Sequence, residues 1–332
     1  MIYKNILEMI GGTRLLEISR HTNTTIAAKL EGDNIGGSVK DRPVKSMLLA
    51  ALKSGELTKD KTILEATSGN TGIAFAMLGA ALGYQVTLVM SEAVSTERRK
   101  LMKAYGAEIV LTPGDQGTDG AIRRAKELGN QNPGKYFYAD QHGNKNNPRA
   151  HKTTANEIWK QTKGRVTHFV ATVGTGGTIM GVGKRLRELN PNIKIIEVQA
   201  VVGHKIQGLR NMQESASPSI YSAAHADFRI MVTDEQAFET ARQLARKGLL
   251  VGMSSGAALF AANQIVKDPN IVNPNQENLI IVIFPDGGMK YLSTPLFGVH
   301  DDNYVQAPNL YNKYEMKEFS KEYLCRRKNE TC

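Results

Sequence analysis

Near the start of the sequence stands NIGGSVKDR, residues 34–42, in which a lysine, an aspartate and an arginine follow two glycines and a serine. Three roles are open to Lys40. It could hold a phosphate, sit solvated on the surface, or carry a reaction itself. A lysine amine is a poor nucleophile while protonated, so the last role demands burial or neighbouring cations that lower its pKa. Asp41 and Arg42 beside it read as a structural pair or as supports behind the lysine rather than as acid–base groups.

Four polar, glycine-bearing junctions accompany it. TVGTGGTIMG, residues 172–181, has glycines at 174, 176 and 177, where the backbone can curl until its N–H groups point at an anion. Thr175 and Thr178 add hydroxyl donors. The dinucleotide fingerprint would need its third glycine at 179, where Ile179 stands, and no GK[ST] ends the loop. A single phosphate therefore fits better than a pyrophosphate, with a tight packing turn as the alternative. EATSGNTG, residues 65–72, gathers Thr67, Ser68, Asn70 and Thr71 at a helix start, which suits a carboxylate; helix capping alone would need fewer of them. GMSSGAALFAA, residues 252–262, offers Ser254 and Ser255 as donors or simple caps, and PDGGMKYLST, residues 285–294, adds a fourth loop after a strand. Two anion cups imply two ligands, or one ligand with two anionic ends, in a donor-lined cleft.

The elements that must position these loops alternate. From about residue 60, KTILEAT, YQVTLVMS and AEIVLTP read as strands, and TGIAFAMLGAALG, STERRKLMKAYG and DGAIRRAKELG as helices. The pattern restarts with HKTTANEIWKQT as helix, THFVATVG as strand, GTIMGVGKRLRELN as helix and IKIIEVQA as strand. DEQAFETARQLARKGL and SSGAALFAANQIVKD follow as helices, and NLIIVIFPD as the last core strand. Repeated βαβ units predict two α/β domains with mostly parallel sheets. Residues 129–150, rich in Asn, Gly and Pro, are expected to be a loop at their interface, where open α/β sheets place ligands. Residues 209–226 are also expected to be a loop, and about the last thirty residues an appended helix or tail.

Composition narrows the function classes. The 332 residues suffice for about two domains. The net charge of +10 permits nucleic-acid binding, yet the single Trp and the absence of any helix-turn-helix or RNA-recognition pattern speak against it, and the same field favours small anionic ligands. The only cysteines, Cys325 and Cys332, lie near the end, and the seven histidines show no HExxH pair, so no metal site is expected. No apolar run reaches membrane-spanning length, and MIYKNILEMIGG has no long apolar core, so a cytoplasmic protein without membrane partners is expected.

Taken together and in order, SVKDR, EATSGNTG, ERRK, YGAE, EIW, GTGGT, HKIQG, GMSSGAA and YLST resemble the cysteine synthase family, the β-replacement branch of the fold-type II pyridoxal-phosphate enzymes, with the cysteine synthase B (O-acetylserine sulfhydrylase B) type the nearest in pattern. The similarity runs from GGTRLLEI to YLSTPLFG at 291–298. It implies a tryptophan synthase β-like fold of two three-layer αβα domains with the active site between them. A smaller substrate-binding domain would span 36–147, a larger cofactor domain 1–35 and 148–305, and an extension 306–332. It implies pyridoxal 5′-phosphate as cofactor and Lys40 as its covalent anchor and the catalytic residue. Gly174, Thr175, Gly176, Gly177 and Thr178 would cradle the phosphate, Asn70 would meet the phenolic oxygen and Ser254 the ring nitrogen. Thr67, Ser68, Thr71 and Gln141 would grip the substrate carboxylate, with His142 and Arg210 as further substrate contacts. A homodimer is the family's usual state.

The chain departs from the family pattern in places. Ile35 replaces a proline before SVKDR, Arg14 another in GTRL, and Ser91 a third after Met90. Gln141–His142 stands where Gln–Phe is common, and an imidazole there could steer the choice of leaving group or nucleophile, or simply face solvent. The leading expectation is β-replacement on O-acetyl- or O-phospho-L-serine with sulfide or thiosulfate, giving L-cysteine or S-sulfocysteine. The alternative is reaction of L-cysteine with release of hydrogen sulfide, yielding serine, lanthionine or cystathionine. A scaffold or regulatory homologue of weak activity is the reading from a different class.

Overall fold

The structure, a computed structural model, describes residues 2–298 apart from 68, 93–95 and 215–216. One unit of the chain ends at Phe297 and holds both sheets. The proposed extension from 306 and both cysteines lie outside the described residues.

Two sheets organise this unit. In the first, β1 (Leu15–Arg20) and β2 (Thr24–Leu30) form an antiparallel hairpin, and β2 then pairs in parallel with β10 (Asn278–Phe284). β7 (His168–Thr172), β8 (Lys194–Ala200) and β9 (Phe228–Val232) continue in parallel, giving the order β1-β2-β10-β7-β8-β9. The second sheet is wholly parallel, in the order β5-β4-β3-β6, from β3 (Thr62–Ala66), β4 (Val86–Ser91), β5 (Glu108–Thr112) and β6 (Tyr136–Tyr138).

Both sheets carry helices on two faces, and alternate strand residues therefore feed two cores. On β10, Ile280, Val282 and Phe284 pack with Ala237 and Phe238 of α7 (Asp234–Arg246) and Ala258 and Ala262 of α8 (Met253–Ile265). Ile281 and Ile283 point the other way, to Ala155 and Ile158 of α5 (Asn146–Gln161) and Val182 and Leu186 of α6 (Gly177–Leu189). The second sheet repeats the arrangement. Ile63, Leu88 and Met90 meet α1 (Asp41–Ser54) and α2 (Asn70–Leu82), while Leu64, Ala66 and Val89 meet Ala121 and Ala125 of α4 (Gly117–Gln131). The remaining helix, α3 (Thr96–Ala104), precedes β5. These are the expected αβα layers.

α1 shows why the chain is helical just after Lys40. Val44, Met47, Leu48 and Ala51 recur at helical spacing and are buried, and Gly55 ends the helix at φ 78°. Two features differ from the sequence expectation. The hairpin β1–β2 precedes the alternating region. The 129–150 segment is not one loop, because β6 joins the second sheet within it and α5 begins at Asn146. The 209–226 segment is a loop as expected, with a short 3-10 turn at Ala223–His225 among its described residues. No described helix is long and apolar enough to cross a membrane.

Candidate active site

Lys40 stands where α1 begins, pinned from behind by the end of β10. Val39 N donates to the Pro285 carbonyl at 2.8 Å, and Ser38 bridges Asp286. The two glycines before it form the turn that makes this possible. Gly37 has φ +74°, and a Cβ on Gly36 would lie 2.6 Å from Asp41 Oδ1. Gly36 N instead donates to Asp41 Oδ2 at 2.6 Å. Burial pushes the Asp41 carboxyl up to about 6 despite that bond. Asp41 and Arg42 are thus not a pair. Arg42 turns away to Glu31 and Glu157, at 2.7 Å each. Ile35, in the proline's usual place, is exposed.

Burial also lowers the Lys40 pKa, with the Asp286 carboxylate opposing. The Lys40 amine takes no hydrogen bond among the described residues, and its side chain lines both chambers of one cleft.

The inner chamber brings together Lys40, Asn70, the 174–178 loop and Ser254. The loop joins β7 to α6, and Gly176 at φ +84° turns it into the helix N-terminus. A Cβ on Gly174 would fall 2.5 Å from the Gly208 carbonyl, and one on Gly177 would run into Asn147 Oδ1. Only glycine fits this cradle. Thr175 Oγ1 accepts from Gly177 N at 3.3 Å, and Thr178 Oγ1 lies 3.3 Å from His151 Nε2. Ser254, at the start of α8, reaches the Gln207 carbonyl only at 3.5 Å.

Asn70 opens α2 and is held from a distance in the chain. Its Nδ2 donates to Asp286 Oδ2 at 2.7 Å, and its Oδ1 accepts from Lys290 Nζ at 2.9 Å. Tyr291 OH also donates to Asp286 Oδ2, at 2.7 Å, while Asp286 Oδ1 is buried with no partner among the described residues. Lys290, its pKa lowered by burial, donates further to the Gly36 and Gly37 carbonyls.

The outer chamber, about 380 Å³, is lined by Thr67, Thr71, Gln141, His142 and Arg210 with Lys40 at its base. Thr71 Oγ1 donates to Gln141 Oε1 at 2.8 Å, and Gln141 Nε2 to the Ala66 carbonyl at 3.1 Å. Beneath them the wholly buried Glu65 accepts from the Ala66 and Gln141 amides, and burial pushes its carboxyl up to about 8. His142 does not face open solvent. It is half-buried and its Nδ1 has no partner among the described residues. Burial, then the positive charge of Arg210, drives its pKa to about 3, so it is neutral near pH 7. Ser68 lies outside the described residues.

Residues 6–286 match the family described as Pyridoxal-phosphate dependent enzyme. The chain is 48% identical to the cysteine synthase of Aquifex aeolicus, covering 90% of this chain and 93% of that protein. It is 41% identical to cysteine synthase B of Escherichia coli, over 88% of this chain and 95% of that protein. The crystal structure of cysteine synthase from Entamoeba histolytica superposes with a TM-score of 0.84 at 40% identity, covering 92% of this chain and 93% of that one. The chain belongs to the cysteine synthase family of pyridoxal-phosphate dependent enzymes.

The family's cofactor, pyridoxal 5′-phosphate, fits the chemistry of the inner chamber. A glycine-bearing cradle at a helix N-terminus suits a phosphate, and an amine with no hydrogen bond among the described residues suits covalent attachment. The structure brings the residues singled out in the sequence, Ser68 apart, to one cleft, and adds Asp286, Lys290, Asn147 and Glu65, which the sequence did not single out. PDGGMKYLST stood out only as a polar loop, and EATSGNTG as a set of hydroxyl and amide donors.

Proposed function

We propose that this enzyme performs β-replacement on an activated L-serine, O-acetyl- or O-phospho-L-serine, with sulfide or thiosulfate as nucleophile. One observation carries the assignment: a lysine amine with no hydrogen bond among the described residues lies where the glycine cradle and the Thr71–Gln141 cup meet. When bound, the cofactor supplies the electron sink. Gly174, Thr175, Gly176, Gly177 and Thr178 would hold its phosphate, Asn70 its phenolic oxygen and Ser254 its ring nitrogen. A serine hydroxyl can donate to that nitrogen without a formal charge, which keeps the sink mild and favours loss of a β-leaving group.

Burial lowers the pKa of both Lys40 and Lys290, and their surroundings separate their roles. Lys290 donates to three oxygens, those of Gly36, Gly37 and Asn70, so it is held as a cation. Lys40 has no such acceptors among the described residues, and burial favours its neutral amine. Lys40 is therefore the anchor and, once freed by an incoming amino acid, the base that takes the Cα proton and later returns one. Thr67, Thr71 and Gln141, with Ser68, would orient the carboxylate so that the Cα–H bond faces this amine. His142 and Arg210 would face the side chain of the amino acid, where the leaving group departs and the nucleophile enters.

The same reading divides the chain into a smaller domain, 36–147, and a larger one, 1–35 with 148–305, and includes a homodimer acting in the cytoplasm. The test is a substrate panel. Cysteine or S-sulfocysteine formed from O-acetyl- or O-phosphoserine, and lost in Lys40→Ala, supports the proposal. Product from L-cysteine alone, with hydrogen sulfide released, would favour the reverse use of the site. No turnover of any member by cofactor-loaded protein would refute it and favour a scaffold role.

A further inference from the structure

Between the two chambers stands a residue that serves both. Asn147, the second residue of α5, is 2% exposed. Its Nδ2 donates to the Gln141 carbonyl at 2.8 Å and to Thr175 Oγ1 at 3.2 Å. A side-chain amide has two N–H bonds, and here each goes to a different cup: one to the residue that grips the carboxylate, the other to the loop that cradles the phosphate. Its Oδ1 rests against Gly177, where any Cβ would collide with it. Neither aspartate, with no donor when ionised, nor serine, with a single short one, could make both bonds.

The helix carrying Asn147 is also fixed near its other end. Glu157 of α5 accepts from Arg42, at the start of α1, and from Lys29 of β2, each at 2.7 Å. The later part of α5 is thus tied to the start of Lys40's helix. The Gln141 side chain is already engaged on both sides, by Thr71 Oγ1 and by the Ala66 carbonyl. A carboxylate that draws on this cup pulls on a residue whose backbone carbonyl Asn147 holds.

We infer that Asn147 is a positioning residue that couples the cups, so that filling the carboxylate cup is felt at the phosphate loop through Gln141, Asn147 and Thr175. The inference rests on the assignment of the two cups in the proposed function.

The experiment is phosphorus NMR of the holoenzyme, titrated with L-norvaline, an amino acid without a β-leaving group. In the wild type the ligand should displace the cofactor phosphate resonance. In Asn147→Ala the resonance should persist, its ligand-induced displacement should fall by half or more, and the dissociation constant for norvaline should rise about fivefold. Asn147→Ser, which perturbs packing less, is measured beside it and decides the matter if the alanine variant folds poorly. A purely structural role would lower the melting temperature yet leave the displacement intact. Full displacement in a cofactor-loaded Asn147 variant overturns the coupling alone. A wild-type protein that shows no bound cofactor phosphate overturns the underlying reading as well.

Discussion

Arg42→Ala should expose how the helix that follows Lys40 is held, and its cost should depend on pH. The Arg42 guanidinium is almost fully buried and donates to Glu31 at 2.7 and 2.9 Å and to Glu157 at 2.7 and 2.8 Å. Lys29 completes the cluster through Glu157 and the Thr13 carbonyl. Two cations face two carboxylates, so removal of Arg42 leaves Glu31, itself wholly buried, without its cation. Breaking a buried pair in this way costs about 3–5 kcal/mol. Burial alone would raise the Glu157 pKa, but the hydrogen bonds and charge of Arg42, then Lys29, bring it from 4.5 to about 2. At about 1.4 kcal/mol per unit, that depression stores roughly 3 kcal/mol. Because the folded value is the lower one, this stability is complete above the ordinary glutamate pKa and is lost as pH falls toward about 2. Urea unfolding of both proteins should therefore show a deficit of about 3–5 kcal/mol near neutrality, narrowing by about 1–2 kcal/mol at about pH 3. A deficit that is the same at both pH values would mean that lost packing, not the ion cluster, carries the effect, and would refute this account.

Three further outcomes follow from the cleft. Gly177→Ala places a Cβ on Asn147 Oδ1, so cofactor affinity measured by equilibrium dialysis should fall about tenfold or more, while unchanged affinity would contradict the cradle. His142→Phe should change relative rates across the substrate panel, and because the imidazole is held near 3, wild-type rates should show no His142 inflection between about pH 5 and 8; identical relative rates would remove His142 from substrate choice. Glu65, raised to about 8, should ionise beneath the carboxylate cup in mild alkali and raise KM for the amino-acid substrate there. Glu65→Gln should remove that rise, and a rise that persists would assign it elsewhere.

Local patterns were legible wherever local physics governs. The run from β3 to β5 follows from alternating strand and helix periods, and the 174–178 cradle from glycines at a strand–helix junction. β6 was hidden because three residues among Asn, Gly and Pro carry little periodicity, and their pairing with β3 is a tertiary matter. Arg42 and Asp41 looked like a pair because they are adjacent, yet successive residues on a helix point in different directions, and their partners lie elsewhere. The hold on Asn70 comes from Asp286, 216 residues away, and no spacing rule reaches that far. Lys290 was unremarkable in sequence for the same reason. Only the folded cleft shows that it shares Lys40's surroundings while being saturated with acceptors.

That contrast gives the most direct measurement. Borohydride treatment of the cofactor-loaded enzyme fixes the cofactor to the lysine that carries it, and peptide mass mapping then locates the label. The account predicts a single labelled peptide containing Lys40, with none in Lys40→Ala. Label on Lys290, or cofactor bound with no lysine labelled, would contradict it.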